Sequence, residues 1–457
     1  MSAEDKILDA IDDEDEEEEM PSFLSRRRKE RQRIRRKNQA TVDTFLGKGR
    51  RASDVGIKPG YYGELLIWAL DRYLQREGWK VADTLGYRDP EPFYVEVNTD
   101  YDKRENLIMR GQLLIEKDDA HFVVTVDAIP RYPATVQVQG AEEQKDKIEA
   151  FVRGVMDIAE KENFYRGKKI EFAGRIRFLN VAGKSWNAII LDRATKRELK
   201  ANTVEFLRRG KRWHGFGIPQ KRGVLLAGEP GTGKTLICKA LMTEADGITC
   251  ITTSAYTLSA DEYITDLYEM AQDLSPCIVF IEDIDLIGLN REEYHYQHGP
   301  ALLSLLNVLD GVEEKREIVT VATTNNWEAL DRAISHRPSR FDRVIKLSLP
   351  SLEERRELVG LLCQKIPVAV PTQDYISSKA EGCTPAQLQE IVFGLAIEYR
   401  DESSQASSLL LDISRDDIDR AISKVNGRNR RRLGFDIDTN HNHDGPLCIE
   451  GLERSEC

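Results

Sequence analysis

Apolar positions recur with a helical period in some stretches of the chain and crowd into short runs in others, and the two habits divide it. In "GELLIWALDRYLQ" the residues Leu66, Leu70, Tyr73 and Leu74 share one helical face. Strand-like runs follow, "FYVEVN", "LIMRGQLLIEK" and "HFVVTVDAI", with "ATVQVQG" as a fourth. A helix over 142–160 gathers Ile148, Phe151, Val152, Val155 and Ala159. Together they predict a small α+β N-terminal domain over 58–165. "NFYRGKKIEFAGRIRFLNV" reads as a connector with one or two strands, a linker over 166–185.

From "SWNAIILD" onward the pattern changes. Short apolar runs at 223–227, 248–253, 277–282, 317–323 and 343–347 have the composition of strands buried on both faces. The segments between them are long enough for crossover helices, so 186–350 is expected to be an α/β subdomain around a parallel sheet. After "LSLPSLEERREL" only helical patterns remain, giving a helical subdomain over 351–427. There "CTPAQLQEIVFGLAIEYR" opens with Thr384 as N-cap, Pro385 at the first helical position and Gln387 closing a capping box, and "SRDDIDRAISKV" opens similarly at Ser414.

Composition adds limits. No apolar run approaches the ~20 residues that span a bilayer, and the acidic N-terminus is unlike a secretory or transit signal. A cytoplasmic protein with no membrane span is expected. The seven cysteines, Cys238, Cys250, Cys277, Cys363, Cys383, Cys448 and Cys457, lie mostly in apolar segments without a C-x-x-C pair and read as buried thiols. The close pairs His295 with His298 and His441 with His443 lack nearby cysteines and read as surface residues.

The net charge of −12 argues against a whole-surface nucleic-acid binder. Its distribution is uneven, however. Residues 12–19 are eight consecutive acids, and nine of the twelve residues from Arg26 to Lys37 are basic. Like-charge blocks repel themselves, so 1–57 is expected to be a disordered acidic and basic tail and 428–457 a second disordered tail. The block from Arg26 to Lys37 could still dock on nucleic acid, on acidic protein or on the acidic block beside it.

The chemistry begins with "GEPGTGKT". It fits G-x-x-x-x-G-K-[ST] from Gly228 to Thr235, between an apolar strand and a helix. Gly231 and Gly233 let successive N–H groups turn toward phosphates, Lys234 brings a positive charge to the terminal phosphates, and Thr235 offers a hydroxyl to Mg²⁺. The cradle also takes in Glu229, Pro230, Thr232 and Leu236. "CIVFIEDID" ends a buried strand in Glu282 and Asp283, acids that packing alone does not explain. Asp285 fits a role in supporting the structure or a subunit contact. "EIVTVATTN" ends in Asn325, an amide placed to orient a water against Asp283. "HRPSRFDR" presents Arg337 and Arg340, suited to charge on a transferring phosphoryl group.

This constellation resembles the AAA branch of the AAA+ ATPases over roughly 186–425. "GEPGTGKT" is similar to its Walker A, "IVFIEDID" to its Walker B, and "VATTNNWEALDRAISHRPSRFDR" to its second region of homology. The resemblance implies a P-loop NTPase fold with a helical lid, Mg²⁺-dependent hydrolysis of ATP, Glu282 and Thr235 on the metal, and Asp283 as the base. It further implies sensor 1 at Asn325, arginine fingers at Arg337 and Arg340, and a ring, usually of six, with each site at a subunit interface. "GCTPAQLQ" resembles the lid motif that lies near the nucleotide in this branch.

The acid pair runs Glu282 then Asp283 where the branch usually has Asp then Glu. That order, with "ALLSLLNVLDGV" and "WHGFGIPQKRGVLL", is similar to the members linked to respiratory-complex assembly. "TTSAYTLSADEYITDLYEMA" lacks the aromatic–apolar–Gly pore tripeptide of threading unfoldases, leaving Tyr256 as the nearby aromatic. The expected function is therefore remodelling of a bound protein or complex, with the N-terminal domain as adaptor for a client. The alternatives are a nucleic-acid-associated machine tethered by Arg26 to Lys37, or a regulatory scaffold ATPase.

Overall fold

The structure, a computed structural model, describes residues 22–130, 132–181, 183, 185–259, 261–288, 304–305, 307–309, 317–327, 341–398 and 413–430. It divides into two compact units. One holds the residues up to Glu229 together with Lys234–Leu347; the other holds Pro230–Gly233 and the residues from Ser348 onward.

The first unit contains two sheets. The N-terminal sheet is antiparallel, in the order β1 (Arg51–Lys58), β6 (Ala134–Ala141), β5 (Ala120–Asp127), β4 (Arg104–Lys117) and β2 (Lys80–Leu85). β4 is long enough for its first half to pair instead with β3 (Phe93–Asn98). Helices α2 (Gly63–Glu77) and α3 (Lys145–Lys161) cover one face. The four strand runs and both helices legible as patterns are all present; β1 and β2 are additions. Their inward positions are small or their side chains exposed. A Cβ on Gly56 would lie 2.8 Å from Met156 Sδ of α3, so close helix packing excludes the large apolar residues that would have signalled a strand.

The expectation of a disordered tail over 1–57 is corrected for the described part. Ser22–Leu46 is a helix, α1, and residues from Arg51 pair in β1 along the whole of β6. Self-repulsion in the basic block is outweighed by a tertiary anchor. Val42, in the last turns of α1, is buried with Leu114 and Val123, flanked by Phe45, Leu46 and Leu85. Asn38 Nδ2 also donates to the Gly86 carbonyl at 3.0 Å. Residues 1–21 and 431–457 lie outside the described residues.

The second sheet runs β13 (Arg343–Leu347), β9 (Lys221–Gly228), β12 (Ile318–Thr324), β11 (Cys277–Glu282), β10 (Thr249–Ser254), β7 (Lys169–Phe172) and β8 (Ile176–Phe178). All pairings are parallel except β7 with β8. The strand at 343–347 and its four companions stand where the apolar runs put them. The stretch expected as a linker differs: β7 pairs with β10 and extends the sheet. Helix α4 (Lys234–Glu244) sends Ile237 and Leu241 into the core on one face, with Val224, Leu226 and Phe280. Helix α5 (Asp261–Asp273) sends Ile264 and Leu267 into the opposite core.

That second core continues without a break into the N-terminal sheet domain. Aromatic rings bridge the junction: Tyr61 meets Phe172 edge-on at 6.1 Å, Tyr101 meets Phe178 at 5.5 Å, and Phe164 meets Phe178 at 6.4 Å. The two sheets of this unit thus share buried apolar surface.

The second unit is helical: α6 (Leu352–Leu362), α7 (Val370–Lys379), α8 (Pro385–Glu398) and α9 (Arg415–Arg430) around Val359, Ile376, Leu388, Ile391 and Ile418. Thr384 and Gln387 exchange capping bonds of 2.7 and 3.3 Å at the start of α8, as the sequence predicts. Ser414 and Asp417 do the same before α9. Five cysteines, Cys238, Cys250, Cys277, Cys363 and Cys383, are buried free thiols, again as expected; Cys448 and Cys457 and the two histidine pairs lie outside the described residues. No helix among the described residues is long and apolar enough to cross a membrane.

Candidate nucleotide site

The site forms where the parallel strands end. In open α/β sheets, ligands bind outside the carboxyl ends of the strands. β9 carries Val224, Leu225, Leu226 and Ala227 buried between β13 and β12, then turns at Gly228. The turn needs glycine: Gly231 has φ +84° and Gly233 φ +94°, a region that side-chain-bearing residues avoid. A Cβ on Gly231 would also stand 2.9 Å from Thr384 Oγ1 and 3.0 Å from the Ala386 methyl, while the Ala386 N–H donates to the Gly231 carbonyl at 3.2 Å. These contacts lie within the second unit. Glu229 and Pro230 are exposed, Thr232 is buried, and Leu236 is 40% exposed on α4.

Lys234 opens α4 and is buried, its Nζ donating to the carbonyls of Gly228 at 2.7 Å and Glu229 at 3.0 Å. Burial pushes its ammonium below the ordinary lysine range, against the pull of Asp283 and Asp285. A phosphate would relieve that penalty, so the residue is poised for an anion. Thr235 follows on the same turn, beside the Glu282 carboxyl, on which it acts to lower the pKa.

Glu282 ends β11 half-buried. Burial raises its carboxyl above the ordinary range, with Lys239 opposing and Asp283 and Glu171 adding to the rise. A half-buried carboxylate beside a hydroxyl is an oxygen pair that suits a hard cation. Among the described residues no group of three His, Cys, Asp or Glu side chains converges. A metal here would take one carboxylate, one hydroxyl and the rest of its ligands from water and the nucleotide, the usual way Mg²⁺ is held with phosphates.

Asp283 adopts φ +55°, a conformation costing roughly 1–2 kcal/mol for an L-residue. Three bonds hold the turn. The Asp283 N–H donates to Thr323 Oγ1 at 3.0 Å, the Ile284 N–H donates to the Thr323 carbonyl at 2.8 Å, and Asn325 Nδ2 donates to Asp283 Oδ1 at 2.8 Å. Asp285 is buried, and its Oδ1 accepts the Asn325 N–H at 3.2 Å, a bond that ties the end of β12 to the turn after β11.

Lys234, Thr235, Glu282, Asp283 and Asn325 are therefore tied together at three strand ends. Thr323 was not singled out from the sequence; its alternation with Asn325 on one strand was the available signal. Arg337 and Arg340 lie outside the described residues, as does the whole segment between Trp327 and Phe341. Tyr256 stands 85% exposed after β10.

Residues 224–349 match the model of the ATPase family associated with various cellular activities (AAA). The chain is 38% identical over 203 residues to an ATP-dependent zinc metalloprotease FtsH 3 of Sphaerobacter thermophilus, covering 42% of this chain and 41% of that protein. It is 33% identical to the FtsH 3 of Sorangium cellulosum over 62% of this chain and 47% of that protein. A putative 26S proteasome regulatory subunit homolog of Methanocaldococcus jannaschii is 33% identical over 47% of this chain and 58% of its own length. The chain thus spans about half the length of the curated relatives it matches.

Proposed function

The chain carries an AAA-family P-loop ATPase domain, and from that premise we propose that it hydrolyses Mg²⁺-bound ATP and uses the cycle to remodel a bound protein or complex. The observation that carries the reading is the Asn325–Asp283 bond, which joins an amide and a carboxylate at the strand ends beside the cradle lysine. In this reading Gly228–Thr235 and Leu236 hold the nucleotide, and Thr235 and Glu282 hold the metal, whose charge offsets that of the phosphates. Asp283 accepts the proton of the attacking water, and Asn325 keeps that carboxylate aimed.

AAA proteins generally oligomerise. A ring of six is proposed here, with Arg337 and Arg340 acting in the neighbour's site. The N-terminal sheet domain is proposed as the surface that holds a protein client. Its shared core with the ATPase sheet supports a role in passing motion between client and nucleotide. The named activity of the FtsH relatives includes zinc-dependent proteolysis. No H-E-x-x-H pair occurs in these 457 residues, so no peptide-cleaving step is assigned to them.

A second reading has one observation in its favour. Arg33, Arg36 and Lys37 are exposed on α1, a helix fixed to the sheet by its other end. A nucleic-acid tether of this kind would bind with strong salt dependence and lose it on removal of residues 1–50. The primary reading is tested by phosphate release with wild type and Lys234→Ala, in the presence and absence of proteins captured by the ATP-bound, hydrolysis-dead chain. Turnover lost in Lys234→Ala and altered by a captured protein is expected; turnover indifferent to every captured macromolecule would favour a regulatory scaffold instead.

A further inference from the structure

Lys168, just before β7, and Lys169, which opens it, send their side chains to different parts of the molecule. Lys168 Nζ meets both carboxylate oxygens of Asp100, at 2.8 and 2.7 Å, and the Lys169 N–H donates to the Tyr101 hydroxyl at 3.1 Å. Asp100 and Tyr101 sit in the turn between β3 and β4, so the start of β7 is pinned to the N-terminal sheet domain. The Lys169 side chain is buried instead, and its Nζ donates to the carbonyls of Ala245 at 2.5 Å and Ile248 at 2.7 Å.

The Ala245 carbonyl stands at the far end of α4, the helix that Lys234 opens, and the Ile248 carbonyl in the turn that leads from it into β10. Among the described residues no carboxylate pairs with Lys169, and an ammonium buried without one is costly unless something else compensates. The compensation is the C-terminal end of a helix, where carbonyls point out and the macrodipole is negative. Arg208 adds a second cation there, its Nη2 donating to the Glu244 carbonyl at 2.7 Å. α4 has 11 residues and is stiff, so fixing one end sets where Lys234 and Thr235 stand. Asp283 and Asn325 ride on β11 and β12, outside its reach.

We propose that Lys169 is a positioning residue for the nucleotide cradle: from a strand next to the sheet's edge and tied to the N-terminal domain, it fixes the far end of the P-loop helix and with it the seat of the phosphates. The inference rests on the ATPase reading and adds the route by which the N-terminal domain reaches the cradle.

The test uses the full chain, with ATP turnover and equilibrium binding of a fluorescent ATP analogue as readouts. Lys169→Met should weaken binding and raise KM about tenfold, the worth of one charged hydrogen bond, while kcat stays within about threefold because the hydrolytic pair sits on the strands. Lys169→Arg should restore most of the affinity. Lys234→Ala is the reference. If it too binds the analogue normally, the ATPase reading has failed. If it loses binding while Lys169→Met retains wild-type affinity, the positioning role is wrong. A Lys169→Met protein that loses kcat and thermal stability together at unchanged KM would mark a merely structural lysine. Should that variant not fold, hydrogen exchange on wild type decides. Saturating ATP should slow exchange at 166–170 and at 245–250, and unchanged rates at both would overturn the proposal.

Discussion

The side-chain amide of Asn325 donates to Oδ1 of Asp283 at 2.8 Å, joining the ends of β12 and β11 across 42 positions of sequence. Asp283 is also held in a left-handed backbone conformation by Thr323. An amide and a strained turn thus fix one carboxylate among groups that are otherwise phosphate- and metal-directed. Asn325→Ala should therefore lower ATP turnover on the order of a hundredfold, the lower range for a misplaced general base, while ATP affinity changes little. Phosphate-release kinetics alongside equilibrium nucleotide binding would check the split.

Glu282 predicts a pH dependence. Its folded-state carboxyl lies above the ordinary range because of burial, so the folded chain holds that proton more tightly than the unfolded chain does. The sign follows: its stabilising effect is present below the ordinary glutamate range and fades as pH rises from there through the raised value. Glu282→Gln, neutral at every pH, should melt higher than wild type at pH 7.5 without metal or nucleotide. The difference should close as pH falls below the ordinary glutamate range. Melting curves across that window, without Mg²⁺, test it.

Helix α1 supplies a prediction about stability. Val42 is 1% exposed between Leu114 and Val123. Val42→Asp buries an unpaired carboxylate there and should detach the helix from the sheet at a cost of roughly 1–3 kcal/mol. Limited proteolysis within 32–46 should accelerate, with ATP binding preserved because the site lies on another sheet. Unchanged cleavage would mean that the anchor is not what holds the helix.

The parts legible from sequence share a cause. β9, the glycine turn and α4 are consecutive, so their chemistry is written in one local stretch, and the buried strands announce themselves by unbroken apolar runs. Glu282, Asp283 and Asn325 were legible because polar residues ending such runs need a reason. What was missed depends on partners distant in sequence. β1 reads as polar because Ala52 and Gly56 face in under α3. β7 looks like a linker until β10 lies beside it. Lys169 is one more basic residue in "RGKKIEF" until Ala245 and Ile248 offer their carbonyls. Local charge said disorder for α1; a few apolar contacts said otherwise.

The most direct test of the central claim separates binding from hydrolysis at one atom pair. Asp283→Asn keeps the shape of the turn and removes the proton acceptor. Equilibrium ATP binding and single-turnover hydrolysis should be measured on the same preparation. ATP affinity should stay within about threefold of wild type, and hydrolysis should slow by at least about a hundredfold. Wild-type hydrolysis by Asp283→Asn would contradict the claim.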